Sequence, residues 1–320
     1  MKLLIHFPFW LGDFIMALPL AATLRNEDPQ ARIIAVIEPV FRPLIEASQL
    51  GFEVWDFGKK KRFALFDRLR RDKPDAVVLL TNSFGSIWPY WLAGVKNRRG
   101  FGGAFTRFLL DSPPAGDPAP AQGMKNLLLA KGAPEVRPNT LMEPLISGNL
   151  PSTLLLFTGA KYGPAKQWGL DRFEAVAALA VAAGWRVELH GTAADREDAL
   201  SILGRMGEPE GLSEHCGRVD LGGLLRHLSQ VPNPVCLAND SGAMHLASAC
   251  GIPTVGLFTS TDPLKTPPAL GPCTLLSAEV ECRPCFARRC PLGHQRCREV
   301  LSVERVWNSL LESTRNRSCS

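Results

Sequence analysis

The chain has 320 residues, 46% of them hydrophobic and 21% charged, which excludes a disordered or fibrous protein and suits two domains of ordinary size. The net charge of +5 sits wholly in residues 1–150, which hold 19 Lys and Arg against 14 Asp and Glu, so an anionic partner is expected for that half. No nucleic-acid partner is expected.

Residues Leu3 to Leu24 are apolar apart from His6, Asp13 and Thr23, and so imitate a leader peptide or a membrane span. Asp13 stands at the centre of that stretch, and Pro8, Gly12 and Pro19 interrupt it. A strand over Lys2–His6, a loop over Phe7–Gly12 and a buried helix fit these interruptions better. Apolar strands at Leu3–His6, Arg32–Ile37, Phe52–Trp55 and Ala76–Leu80 alternate with helical patterns at Phe14–Asn26, Val40–Ser48 and Arg62–Arg71. Such alternation predicts a parallel sheet covered on both faces. Asn82 to Gly85 is a polar turn feeding a helix toward Leu92, and Val95–Phe101 reads as a further strand. Basic residues cluster at Lys59, Lys60, Lys61 and Arg62, and again at Lys96, Arg98 and Arg99. Residues 112–120 form a loop rich in Pro, Ala and Gly, and Met124–Lys131 looks helical. Ala133 to Pro151 carries Pro134, Pro138, Pro144 and Pro151 with little periodicity, which places a linker there and domains at 1–150 and 151–320.

The second half repeats the alternation. Thr153–Phe157 is a buried strand running into the loop Thr158-Gly-Ala-Lys-Tyr-Gly-Pro-Ala-Lys-Gln-Trp168, and Asp171 is expected to cap the following helix through Ala183. Arg186–His190 is the next strand, Gly191 opens the turn after it, and helices follow over Asp195–Met206 and Leu221–Leu228. Val235–Ala238 then leads through Asn239-Asp-Ser-Gly242 into a small-residue helix that ends at Gly251, with Pro253 beyond and a buried strand over Thr254–Phe258. A polar turn at the carboxyl end of a parallel strand, opening a helix, is where such sheets bind ligands, and its unpaired N–H groups favour a phosphate. Asp240 and Ser241 can cap that helix, and capping is the plain alternative to ligand binding. His245, four residues beyond Ser241, shares its helix face. Asp13 has the same two readings: a helix cap, or a carboxylate that takes a proton from an attacking hydroxyl.

Nine cysteines, an odd number spread mostly through apolar positions, predict reduced thiols, with Cys216, Cys236 and Cys250 as small buried hydrophobes. Cys282, Cys285, Cys290 and Cys297 are closely spaced near the end of the chain. Their spacing is compatible with structural zinc, with disulfides or with free thiols. A final helix over Val303–Leu311 is expected to pack back across the domains.

Asn239-Asp-Ser-Gly-Ala-Met-His245, closing in Gly256-Leu-Phe-Thr-Ser-Thr-Asp-Pro263, resembles the donor-site motif of glycosyltransferase family nine, the ADP-heptose:lipopolysaccharide heptosyltransferases. Thr259 stands where that motif commonly has glycine. Leu11-Gly12-Asp13 with Pro19 is similar to the family's first-loop motif. The Thr158–Trp168 loop resembles its P-G-A-x-x-G-P-A-K-x-W, closest to the second heptosyltransferase of the pathway, and His190–Asp195 resembles the turn near the adenosine. Similar sequences also carry a cysteine segment like the one here.

The resemblance implies a GT-B architecture, two Rossmann-like doubly wound α/β domains facing a central cleft. The N-terminal domain would bind the acceptor and the C-terminal domain the nucleotide sugar. It implies an inverting glycosyltransferase that moves heptose from ADP-L-glycero-β-D-manno-heptose to the lipopolysaccharide inner core. The enzyme would be cytoplasmic and peripheral to the inner membrane. Asp13 would be the base and Lys166 the cation for the departing diphosphate. Thr158, Gly159, Lys166, Gly191, Leu221, Asn239, Asp240, Ser241, Gly242 and His245 would form the donor site. Gly12, Lys60, Lys61, Arg62, Arg98 and Arg99 would face the acceptor. Catalysis would require no cofactor, and structural zinc is one reading of the cysteine segment. The alternatives are another nucleotide-sugar transferase on the same scaffold, and a zinc-bearing interaction module.

Overall fold

The computed structural model describes residues 1–58, 62–102, 106–111, 140–148 and 150–315. Lys59, Lys60 and Lys61, the 112–120 loop, the helix expected over 124–131 and the first part of the expected linker lie outside them. The chain divides into two compact units, Met1–Asn139 and Thr140–Ser320. The division falls before residue 150 because the segment after it is bonded into the second unit. The Leu141 amide donates to the Ala249 carbonyl at 2.6 Å, and the Asn233 amide to the Leu145 carbonyl at 2.8 Å. The Asn233 side chain also holds both ends of the turn at Ser147.

The first unit is built on five parallel strands: β1 (Lys2–His6), β2 (Arg32–Ile37), β3 (Glu53–Asp56), β4 (Ala76–Leu79) and β5 (Arg98–Gly100), in the order β3-β2-β1-β4-β5. The Leu, Ile and Val runs are buried on both faces of the sheet, as parallel strands require. Helices α1 (Leu11–Glu27), α2 (Arg42–Ala47), α3 (Arg62–Asp72) and α4 (Phe84–Leu92) connect them. Every residue of α1 from Phe14 to Leu24 is buried, which is why its sequence reads as apolar all round. Strand order reverses between β1 and β4, so the loop from Phe7 to Trp10 opens at a topological switch point.

The second unit has six parallel strands: β6 (Thr153–Phe157), β7 (Arg186–His190), β8 (Leu212–Glu214), β9 (Pro234–Asn239), β10 (Thr254–Phe258) and β11 (Cys273–Ser277), in the order β11-β10-β9-β6-β7-β8. Its helices are α5 (Leu170–Ala182), α6 (Arg196–Arg205), α7 (Leu221–Leu228), α8 (Gly242–Ala249), α9 (Arg296–Glu299) and α10 (Val303–Arg315). The order reverses between β6 and β9, which brings Thr158 and Asn239 side by side at the carboxyl ends of neighbouring strands. Helix α8 lies close to the sheet: a Cβ at Gly256 of β10 would collide with the Met244 sulfur. Helix α10 packs on α5 and on β9, β10 and β11 of its own unit, burying Val306 and Leu310. Among the described residues, no helix is long and apolar enough to cross a membrane.

Candidate active site

The reversal between β6 and β9 organises the site of the second unit. Asn239 ends β9 wholly buried, and its side chain ties two loops together. Its Oδ1 accepts from the Trp168 amide at 3.0 Å, and its Nδ2 donates to the Thr158 carbonyl at 2.7 Å. The loop between those two residues is thereby held over the sheet edge. It presents Lys166, whose Nζ lies 2.6 Å from Asp240 Oδ2. Thr261 Oγ1 donates to the same Asp240 oxygen at 2.6 Å. Thr259 donates through Oγ1 to the Ala165 carbonyl at 2.7 Å. The departure from glycine at Thr259 therefore supplies a hydrogen bond that anchors the residue beside Lys166. Tyr162 lies under the same ammonium, 4.9 Å from ring centroid to Nζ, and donates its hydroxyl to the Phe286 carbonyl.

Ser241 precedes α8 in extended backbone, but its side chain does not cap the helix; nor does Asp240, which is engaged by Lys166 and Thr261. The capping expectation fails here because both side chains point elsewhere. Ser241 Oγ and His245 Nδ1 are both buried with no hydrogen-bond partner. Buried polar atoms are rarely left so, and two on one helix face beside unpaired N–H groups mark a place for an anionic ligand. Burial lowers the His245 pKa to about 4, against the opposing effect of the Asp240 carboxylate. The imidazole is neutral at pH 7 and can donate or accept one hydrogen bond.

Gly159 and Gly191 lie just beyond the ends of the neighbouring strands β6 and β7. Both leave room for Asp195, whose Cβ would stand 2.7 Å from a Cβ at Gly191 and whose carboxylate would collide with one at Gly159. That carboxylate accepts from the Thr192 amide and hydroxyl, each at 2.7 Å, and closes a capping box on a 3₁₀ turn. Leu221 is the first residue of α7, whose cap is Asp220 accepting from the Gly223 amide. Helix α5 starts after Gly169, so Asp171 sits in its first turn and not at the cap.

In the first unit, Gly12 and Asp13 lie in the first turn of α1, after the loop from β1. Trp10 occupies the cap position, so Asp13 is a first-turn carboxylate at the positive end of the helix dipole. Arg62 begins α3 with its guanidinium against Gly85 of α4. Arg98 is turned into its own unit: it pairs with Asp111 at 2.8 Å and donates to the Leu109 carbonyl at 2.6 Å. Arg99 is buried, and that burial lowers its pKa.

Cys282, Cys285, Cys290 and Cys297 are free thiols that line one cavity of about 30 Å³ with His294 and Arg283. Although far in sequence from the donor motifs, this segment backs onto them. The Cys285 and Phe286 amides donate to the Ser260 carbonyl at 3.1 and 3.0 Å, and Arg283 donates to the Thr261 carbonyl. Among the described residues, no three of these sulfurs stand within 4.8 Å of one another, whereas the ligand atoms of Glu188, His190 and His227 do.

A family model described as glycosyltransferase family 9 (heptosyltransferase) matches residues 139–295. Lipooligosaccharide heptosyltransferase 2 of Haemophilus influenzae is 27% identical over 312 residues, spanning 86% of this chain and 88% of its own. Lipopolysaccharide heptosyltransferase 2 of Escherichia coli K12 is 29% identical over 303 residues, spanning 84% of this chain and 85% of its own. The solved structure of E. coli ADP-heptose lps heptosyltransferase II superposes with a TM-score of 0.83 at 23% identity, over 100% of both chains. That likeness of fold covers both units and is of the GT-B class.

Proposed function

The chain belongs to glycosyltransferase family 9, and from that premise we propose that it transfers heptose from ADP-L-glycero-β-D-manno-heptose to an inner-core acceptor of lipopolysaccharide. The observation that carries this reading is the pair of unpartnered buried atoms on α8, Ser241 Oγ and His245 Nδ1, next to Lys166. Together with the first amides of α8 they make a receptacle for a diphosphate. Thr158, Gly159, Gly191 and Leu221 would accept the nucleoside, and Asp240 the heptose hydroxyls, because a carboxylate against a diphosphate would repel it.

The reaction is a single in-line displacement with inversion. Asp13 takes the proton of the acceptor hydroxyl as its oxygen attacks the anomeric carbon. The bond from that carbon to the diphosphate oxygen breaks, and ADP leaves with the electron pair. Lys166 and the α8 amides stabilise the charge growing on the leaving oxygen. No cofactor takes part in this displacement. Gly12 and Arg62 face the anionic acceptor in this reading, whereas Arg98, turned onto Asp111, and the buried Arg99 do not. The enzyme then works peripherally at the cytoplasmic membrane face. The cysteine segment serves the fold behind the site.

The test is a transfer assay with purified protein, ADP-heptose and core lipopolysaccharide isolated from a strain deleted for this gene. Heptose incorporation is the expected result. Hydrolysis or transfer with a different nucleotide sugar, and none with ADP-heptose, would overturn the donor assignment.

A further inference from the structure

Three of the chain's six histidines gather at one place in the second unit, away from the Lys166–Asp240 pair in sequence. His190 ends β7, His215 follows β8 and His227 lies in the last turn of α7. Their ring centroids stand 5.0 Å (190–215), 5.3 Å (190–227) and 5.2 Å (215–227) apart. Glu188 sits two residues before His190 on the same face of β7. One oxygen, Glu188 Oε2, is 2.9 Å from His190 Nε2 and 2.7 Å from His227 Nε2.

Two imidazole nitrogens converging on one carboxylate oxygen is the donor set of a first-row divalent ion. Without an ion, both imidazoles must present N–H to the same oxygen. The carboxylate survives partial burial because those two imidazoles hold it.

We propose that Glu188 Oε2, His190 Nε2 and His227 Nε2 bind a zinc-type divalent metal ion, a site separate from the cysteine cavity and from the proposed transfer chemistry. Metal–ligand distances of about 2.0–2.2 Å need only a small opening of the present cluster, by rotation of the His227 side chain on the partly exposed face of α7. His215 stacks on His190 and receives or gives a hydrogen bond with Ser213 Oγ at 2.9 Å, which steadies the ring beside the ion. The ion would clip α7 to the end of β7 and so fix the turn at Gly191. The inference does not depend on the identity of the donor sugar.

The test uses the full-length protein, stripped with chelator and titrated with Co²⁺ alone. Visible absorption and calorimetry are followed in the wild type, in His227→Ala, in Glu188→Gln and in a Cys282→Ser/Cys285→Ser double variant. Melting without metal checks that each is folded. We expect binding with ligand-field bands and no thiolate charge-transfer band, retained in the cysteine variant. Affinity should fall at least about tenfold in both His227→Ala and Glu188→Gln, and metal should raise the wild-type melting temperature but not theirs. Absence of binding to the wild type would overturn the proposal. So would binding that survives both substitutions, or binding that is lost only with the cysteines.

Discussion

Lys166 and Asp240, 74 positions apart, meet at 2.6 Å with only 14% and 4% of their side chains exposed. Each is the other's charge partner before any ligand arrives. In the proposed reading a diphosphate that engages the ammonium loosens this pair and frees the carboxylate for sugar hydroxyls, while Thr261 still donates to it. The buried member of the pair is the more dependent one. Lys166→Ala should lower unfolding stability by about 3 kcal/mol, whereas Asp240→Asn leaves a lysine that can reach water and should cost much less. Urea denaturation of both variants checks this; equal losses would contradict it.

Ligand binding should separate the same two residues in another way. Asp240→Ala is expected to weaken a non-hydrolysable ADP-heptose analogue much more than ADP. Lys166→Ala should weaken both. Calorimetric titration with each ligand decides, and parallel losses in Asp240→Ala would assign the aspartate to the nucleotide or the fold.

Asp13→Asn should remove most turnover, about 10²–10⁴-fold, with folding and donor affinity nearly intact. The amide keeps the size of the side chain in the first turn of α1 but cannot take a proton. Turnover within a few-fold of wild type would rule Asp13 out as the base.

His245 makes the fold sensitive to acid. Its folded-state pKa is about 4, below the ordinary 6.5, so above pH 6.5 it costs nothing. As pH falls through 6.5 the unfolded chain takes the proton first, and stability declines until the folded state is protonated near pH 4, by about 3 kcal/mol in all. His6, lowered by burial to about 3, acts in the same direction. The measurement is the melting temperature of wild type and His245→Gln from pH 7.5 to 4. The variant should lose less over that interval, and parallel curves would be the contrary result.

Cys290 should be the first thiol to react with an alkylating reagent at neutral pH. The amide of Gln295, with those of Leu292, Gly293 and His294, points at its sulfur and lowers its pKa. Burial raises Cys216, Cys250 and Cys273 to about 12, and pushes Cys236 well above the ordinary thiol range. Time-resolved labelling read by mass spectrometry gives the order, and modification of Cys250 before Cys290 would reverse the expectation.

Much of the alternating architecture is legible in the apolar runs, because parallel strands buried on both faces announce themselves. The edge strands are harder to read. Leu212–Glu214 has three residues, one of them exposed, and Cys273–Ser277 alternates too weakly to stand out from a loop. The motifs around Lys166 and Asp240 are legible singly, but their ion pair is a product of the fold that local spacing does not encode. The helix caps fail for a related reason: Ser241 has the right side chain for a cap, and its surroundings aim it elsewhere. Glu188 and His190 did offer a signal, polar residues that alternate with the apolar Val187 and Leu189 of β7. His227 joins them only through the placement of α7.

The wedge that Asp195 drives between Gly159 and Gly191 bears on how this loop pair can change over time. An alanine at either glycine displaces the carboxylate, and the displaced carboxylate gives up its bonds to Thr192. The three positions are therefore mutationally locked. A side chain at either glycine fits this turn without that displacement once Asp195 has been replaced by something smaller, so the order of substitutions, and not just their sum, sets which intermediates carry a strained turn.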